Sequence, residues 1–249
     1  MSFTSLRIRF QTARSLPAPY AYFYTLDLRP AFSDFLQVDL SITYPDRDDI
    51  DDDELIAEGF TRDDDFSWSG RLPKAWLQAV AKLADQTTLQ PADEDKLDEA
   101  DDFWELKIAR NPGPDRQGRP ADTGAGSTDD WQYLVQELTQ ATLEADNRER
   151  PFELTYLRIG PDEAEVRVTA SFAQRSVTFT TIRNRRERNQ SLPWTALQKL
   201  MTAVYANDYD PDMAQPKRPK APGQWLNLGT DEWYNISAFT DLTRTLENL

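Results

Sequence analysis

This 249-residue sequence predicts an α+β fold of two related antiparallel sheet-plus-helix modules, a ββββα-like duplication, with a C-terminal hairpin and helix. Three observations carry that expectation. Stretches of alternating apolar and polar residues recur in both halves, the pattern of half-buried antiparallel strands. In each half a proline then opens a helical apolar stripe. Finally, Leu72-Pro73-Lys74-Ala75-Trp76-Leu77-Gln78 matches Leu192-Pro193-Trp194-Thr195-Ala196-Leu197-Gln198, with Leu, Pro, Leu and Gln at identical spacing.

The elements follow in chain order. Residues 3–10, 20–28, 35–44 and 66–71 read as strands. The cleanest is 35–44, with Leu36, Val38, Leu40, Ile42 and Tyr44 on one face. The helix after Pro73 carries Trp76, Leu77, Val80 and Leu83 on one stripe. Residues 103–109 read as a strand, and 111–126, rich in Pro and Gly, as a long loop. Ser127 and Asp130 suggest a capping box before a helix striped by Trp131, Leu134, Val135, Leu138 and Ala145. Strands are expected at 152–159, 163–172 and 176–182, then a helix at 193–206 with Leu197, Leu200, Met201 and Val204 inward. A Pro-rich connector at 210–223 leads to a hairpin around Gly229 and a last helix striped by Phe239, Leu242, Leu246 and Leu249. Val38, Leu40 and Tyr44 align without a gap with Val166, Val168 and Phe172, so 20–84 and 152–206 are expected to superpose.

The expected organisation is a module with an acidic insertion over 1–91 and a connector containing one strand over 92–128. A second helix-and-sheet module covers 129–206, and 207–249 supplies the Pro-rich linker, hairpin and final helix. No run approaches 18 apolar residues, so no membrane span or membrane partner is expected. Arg7, Arg9 and Arg14 interrupt the apolar residues at the start, which reads as a strand and not a signal-peptide core. The expected location is the cytoplasm.

The chain holds no His and no Cys. A Ser-His-Asp triad, a Cys-His pair and zinc held by His or Cys are therefore excluded. Acid–base chemistry would fall to carboxylates, Lys or Tyr. An EF-hand loop fails at both Asp-rich stretches: Glu54 and Met213 stand where Gly is required, and Phe60 and Pro219 where the twelfth ligand belongs. Residues 124–128 precede a helix, yet Asp129 and Asp130 would repel phosphate there. No cofactor and no metal ligand set is expected.

What remains is charge. The formal net charge is −15, but it is uneven: residues 46–105 hold 20 acids and 6 bases, residues 148–188 hold 9 bases and 6 acids. Asp48, Asp51, Asp52 and Asp53 belong to an acidic insertion, expected to be solvated. Arg183, Arg185, Arg186 and Arg188 form a basic loop. Clusters of one sign repel themselves and gain by meeting the other sign. These eight residues are the candidate interaction sites, and the expected function is a non-catalytic interaction or accessory protein that binds a protein partner or itself in a homo-oligomer. One alternative is single-stranded nucleic acid, gripped by the basic loop and stacked on sheet aromatics such as Tyr22 and Tyr24. A second is a metal-dependent hydrolase using carboxylates alone. Pro216, Pro219 and Pro222 form a PxxP-like run, expected as a stiff spacer.

Overall fold

The structure, a computed structural model, describes residues 3–247. It is α+β: two antiparallel sheets of seven and six strands with five α-helices among the described residues. The chain divides into two compact units, Met1–Thr142 and Leu143–Leu249.

The first unit begins with β1 (Ser5–Gln11), β2 (Phe23–Pro30) and β3 (Leu36–Thr43). A short helix, α1 (Asp52–Ala57), precedes β4 (Phe66–Leu72) and α2 (Lys74–Gln86). Then come β5 (Leu89–Gln90), β6 (Phe103–Ala109), β7 (Arg116–Pro120) and α3 (Thr128–Ala145), within which the unit boundary falls. The strand order is β4-β3-β2-β1-β6-β7-β5. Residues 92–128, expected as a connector, thus supply two strands of the first sheet. Cross-strand neighbours build the apolar face row by row: Leu6 beside Leu28 and Ile108, Ile8 beside Leu26 and Leu106, Phe10 beside Tyr24 and Trp104. Pro73 caps α2, which buries Trp76, Leu77, Val80 and Ala84. Each such large side chain contributes roughly 1.5–3 kcal/mol by leaving water. The indole N–H of buried Trp131 on α3 donates to Thr87 Oγ1 at 2.9 Å.

The second unit repeats this plan. It contains β8 (Phe152–Ile159), β9 (Ala164–Ser171), β10 (Ser176–Arg183), β11 (Arg186–Leu192), α4 (Trp194–Tyr205), β12 (Gly223–Asn227), β13 (Trp233–Asn235) and α5 (Thr240–Glu247). Its strand order is β11-β10-β9-β8-β12-β13. In both units a four-strand meander leads through a capping proline into a helix, and later strands add beside the first strand of the meander. Leu197, Leu200 and Val204 are buried, as are Leu242 and Leu246; Leu249 lies outside the described residues.

Two expectations change. The repeat starts at β1, because β8 is its counterpart, so the matching spans are 5–86 and 152–205 and not 20–84 and 152–206. The ungapped match of Val38 and Leu40 with Val166 and Val168 pairs the third strand of one meander with the second of the other. Alternation alone cannot distinguish neighbouring strands that bury the same kind of face. Register sets the true equivalence. Leu36 opposes Leu72, and Val177 opposes Leu192. Hence Leu40, Ile42, Phe66 and Trp68 of the first unit correspond to Thr181, Arg183, Arg186 and Arg188 of the second.

Candidate functional site

The four candidate arginines lie on a β-hairpin and not on a loop. Arg186-Glu187-Arg188-Asn189-Gln190-Ser191-Leu192 has no apolar alternation, yet it pairs with β10 along its whole length. Asn184 and Arg185 join the strands with φ of 51° and 62°. Positive φ at both central residues suits the two-residue turn that follows the natural twist of a hairpin.

On one face Phe179 opposes Gln190, Thr181 opposes Arg188, and Arg183 opposes Arg186. This is the face that buries Val177 and Phe179. Toward the turn it opens into a cleft of about 960 Å³ lined by Arg183, Arg186, Arg188, Thr181, Gln190 and Glu247, among others. Arg185 stands at the turn and does not line the cleft. Directly opposed like charges destabilise a strand pair. Among the described residues no carboxylate pairs with Arg183, Arg185, Arg186 or Arg188. Among the described residues lining the cleft the one acid is Glu247, which accepts from Arg158 Nη1 at 2.8 Å and from the Tyr156 hydroxyl at 3.4 Å. Burial, and then the charge of Glu247, push the Tyr156 hydroxyl up to about 12. Tyr156, Arg158 and Glu247 carried no sequence signal, because their meeting depends on how α5 returns to β8.

The acidic candidates belong to the first unit, in the insertion between β3 and β4. That insertion is folded, and two arginines organise it. Arg62 donates to Asp52 at 2.7 Å and to the carbonyls of Asp48 and Ile50 at 2.7 and 2.8 Å. Arg47, 2% exposed, bonds Asp64 and donates to the carbonyls of Pro19 and Thr61 at 2.9 and 2.8 Å. Its guanidinium lies 4.1 Å from the Tyr44 ring centroid and 4.7 Å from that of Phe60. Asp51 accepts from the Asp53 amide at 3.0 Å and so caps α1. All four candidate acids, Asp48, Asp51, Asp52 and Asp53, are exposed, as expected. Among the described residues no group of three or more acidic side chains converges as a metal site.

The expected capping box before α3 is present: the Asp130 amide donates to Ser127 Oγ at 3.3 Å, and the Gly126 amide donates to the Asp130 carboxylate at 2.9 Å. Other sequence expectations are relocated. The PxxP-like run is pinned and is not a spacer. Pro219 is buried, Arg218 bonds Glu165 at 2.5 Å, and the Trp225 indole donates to the Ala221 carbonyl at 3.2 Å. Tyr24 is 6% exposed and Tyr22 half-buried, so neither offers an open platform for a base. Both instead line a cleft of about 470 Å³ within the first unit, together with Phe10, Tyr44, Phe60 and Trp104.

Comparison with protein-family models, curated proteins and solved structures finds no match to this chain. Its class is therefore stated from its own architecture: an α+β protein of two similar sheet-and-helix modules. The same pole of the repeated sheet is apolar in one module and basic in the other.

Proposed function

We propose that this chain is a non-catalytic binding protein of the cytoplasm whose second unit takes an acidic, extended segment of a protein partner along β10 and β11. One observation carries this reading. Arg183, Arg186 and Arg188 stand where the equivalent module places Ile42, Phe66 and Trp68, and they do so without carboxylate partners among the described residues. A row of unneutralised cations on an exposed edge strand costs stability locally, which is expected where a partner supplies the missing charge. Carboxylates match the planar, forked donors of Arg. Among the described residues β11 ends its sheet, so an extended acidic segment can add main-chain hydrogen bonds there.

Single-stranded nucleic acid is the second reading, since phosphates would satisfy the same arginines. It is the weaker one. The net charge of −15 opposes it, and Tyr24 is buried against its own unit.

The test uses the full chain with a labelled peptide of alternating Glu and Thr, with oligo-dT of equal length, and with light scattering for self-association. The peptide is expected to bind at about 50 mM salt and to weaken at least tenfold at about 500 mM, where screening is stronger. Replacing Arg183, Arg186 and Arg188 by Ser should weaken binding at least tenfold at low salt and leave the circular dichroism unchanged. Equal binding by both proteins at every salt concentration sinks the proposal. Tighter capture of oligo-dT selects the nucleic-acid reading. A drop in mass in the variant selects self-association.

A further inference from the structure

The first unit holds a second cleft, separate from the arginine hairpin, that is built for a different chemistry. Its floor is the apolar pole of the first sheet. Phe10 stacks on Tyr24 with centroids 5.0 Å apart and meets Trp104 edge-on at 5.0 Å. Tyr22 lies 5.3 Å from Phe10 and 5.8 Å from Tyr44, which extends the aromatic wall. The opposite wall is α3, with Val135 buried and Gln132 and Gln136 exposed, and with Thr139 between. The volume, about 470 Å³, falls within the range of small-molecule sites.

Three features select the ligand. Among the described residues, no side chain lining the cleft carries a charge. Among the described residues the hydroxyls of Tyr22, Tyr24 and Tyr44 have no hydrogen-bond partner, and Tyr24 is more than nine-tenths buried. Their oxygens open to the cleft, where a ligand's polar group can take the place of water. Lastly, buried Arg47 already occupies faces of Tyr44 and Phe60. Its positive charge opposes a cationic guest in the aromatic box. An anion is opposed in turn by the unit itself, where residues 1–142 hold 28 acids and 14 bases.

We propose that this cleft binds an uncharged, planar ring compound bearing hydroxyl or carbonyl groups. The ring lies against Phe10, Tyr24 and Trp104, and its polar groups bond the hydroxyls of Tyr22, Tyr24 and Tyr44. The pairing parallels other aromatic sites, where apolar rings give affinity and a few polar groups fix orientation.

The test titrates the full chain with 2-naphthol as the probe, beside naphthalene as the ring without a hydroxyl and naphthalene-2-sulfonate as its charged analogue. Ligand-observed NMR or calorimetry reads the affinity. One saturable site for 2-naphthol is expected, with at least tenfold weaker binding of the sulfonate. Thr139→Trp should fill the cleft and weaken 2-naphthol at least tenfold. Should that variant misfold, Gln136→Trp at an exposed position reads the same effect. Tyr22→Phe with Tyr24→Phe should weaken 2-naphthol about threefold to tenfold and leave naphthalene unchanged. Absence of saturable 2-naphthol binding overturns the proposal. So does binding that neither tryptophan variant diminishes, or a sulfonate bound as tightly as the naphthol.

Discussion

Arg47 shows how a single residue converts an acidic stretch into structure. In sequence it is one base among Asp46, Asp48 and Asp49. In the fold it is buried between two aromatic rings, with Asp64 and two backbone carbonyls on its donors. Arg47→Met keeps the bulk but leaves those acceptors without a donor. It should cost about 3 kcal/mol, read as a lower urea midpoint with unchanged slope. Carboxylates give a second prediction. Burial works against ionisation of Glu165, but the hydrogen bonds from Arg218 and Arg167 outweigh it and hold the carboxyl below its ordinary range. Asp64 behaves alike: burial opposes, while Thr61 and Arg47 prevail. A carboxyl lowered on folding lends stability above its unfolded pKa, about 4, and that stability is lost as pH falls through the folded value. Glu165→Gln should therefore lower the urea midpoint at neutral pH. It should also shrink the loss of stability between about pH 5 and pH 3. An unchanged acid slope would show that Glu165 is not a main contributor.

Elements carry the next set of consequences. The turn of the β10–β11 hairpin puts an arginine at φ 62°, a conformation that strains a side chain bearing Cβ. Arg185→Gly gives the Asn-Gly pair favoured in such turns and should stabilise the chain by about 0.5–1 kcal/mol. Because Arg185 lies outside the cleft, acidic-peptide binding should change less than for Arg183, Arg186 or Arg188. The opposite sign is expected before α3. Gly126 has φ 76°, and a Cβ there would meet the Thr87 backbone at 2.6–2.7 Å. Gly126→Ala should destabilise by about 1–3 kcal/mol, seen in the thermal midpoint. The elements that were legible in sequence were those with a buried face. The stripe of α2 and the alternation of β3 announced themselves because burial selects apolar residues at a fixed period. β11 was illegible for the reverse reason: six of its seven residues are exposed, so nothing imposed a period. β7 was hidden by its Gly and Pro, which a strand pattern ordinarily excludes, although it runs between β6 and β5.

At the scale of the molecule, charge is divided between the units. Residues 1–142 hold 28 acids and 14 bases, while residues 143–249 hold 15 and 14. Such self-repulsion weakens a compact state and is relieved by screening. Raising salt from about 10 mM to about 150 mM should lift the thermal midpoint, by about 2–4 °C for each kcal/mol of repulsion removed. Hydrogen exchange resolved by segment should place most of that gain in the first unit. A uniform gain across both units would contradict the charge division. No helix among the described residues is long and apolar enough to cross a membrane.

The sequence by itself determined the fold class, the duplicated sheet-and-helix plan, the prolines that open α2 and α4, and the exclusion of chemistry based on His or Cys. Those follow from composition and from local periodicity, which every residue carries with it. Tertiary structure alone decided that the four arginines share a hairpin, that three of them face a cleft, and that Tyr22, Tyr24 and Trp104 meet on one wall. It also decided that Arg47 is interior and not solvated. Such facts depend on strand order and register. Pairings such as Arg9 with Glu105 join residues 96 apart, and no local pattern records which distant strand a given strand will meet.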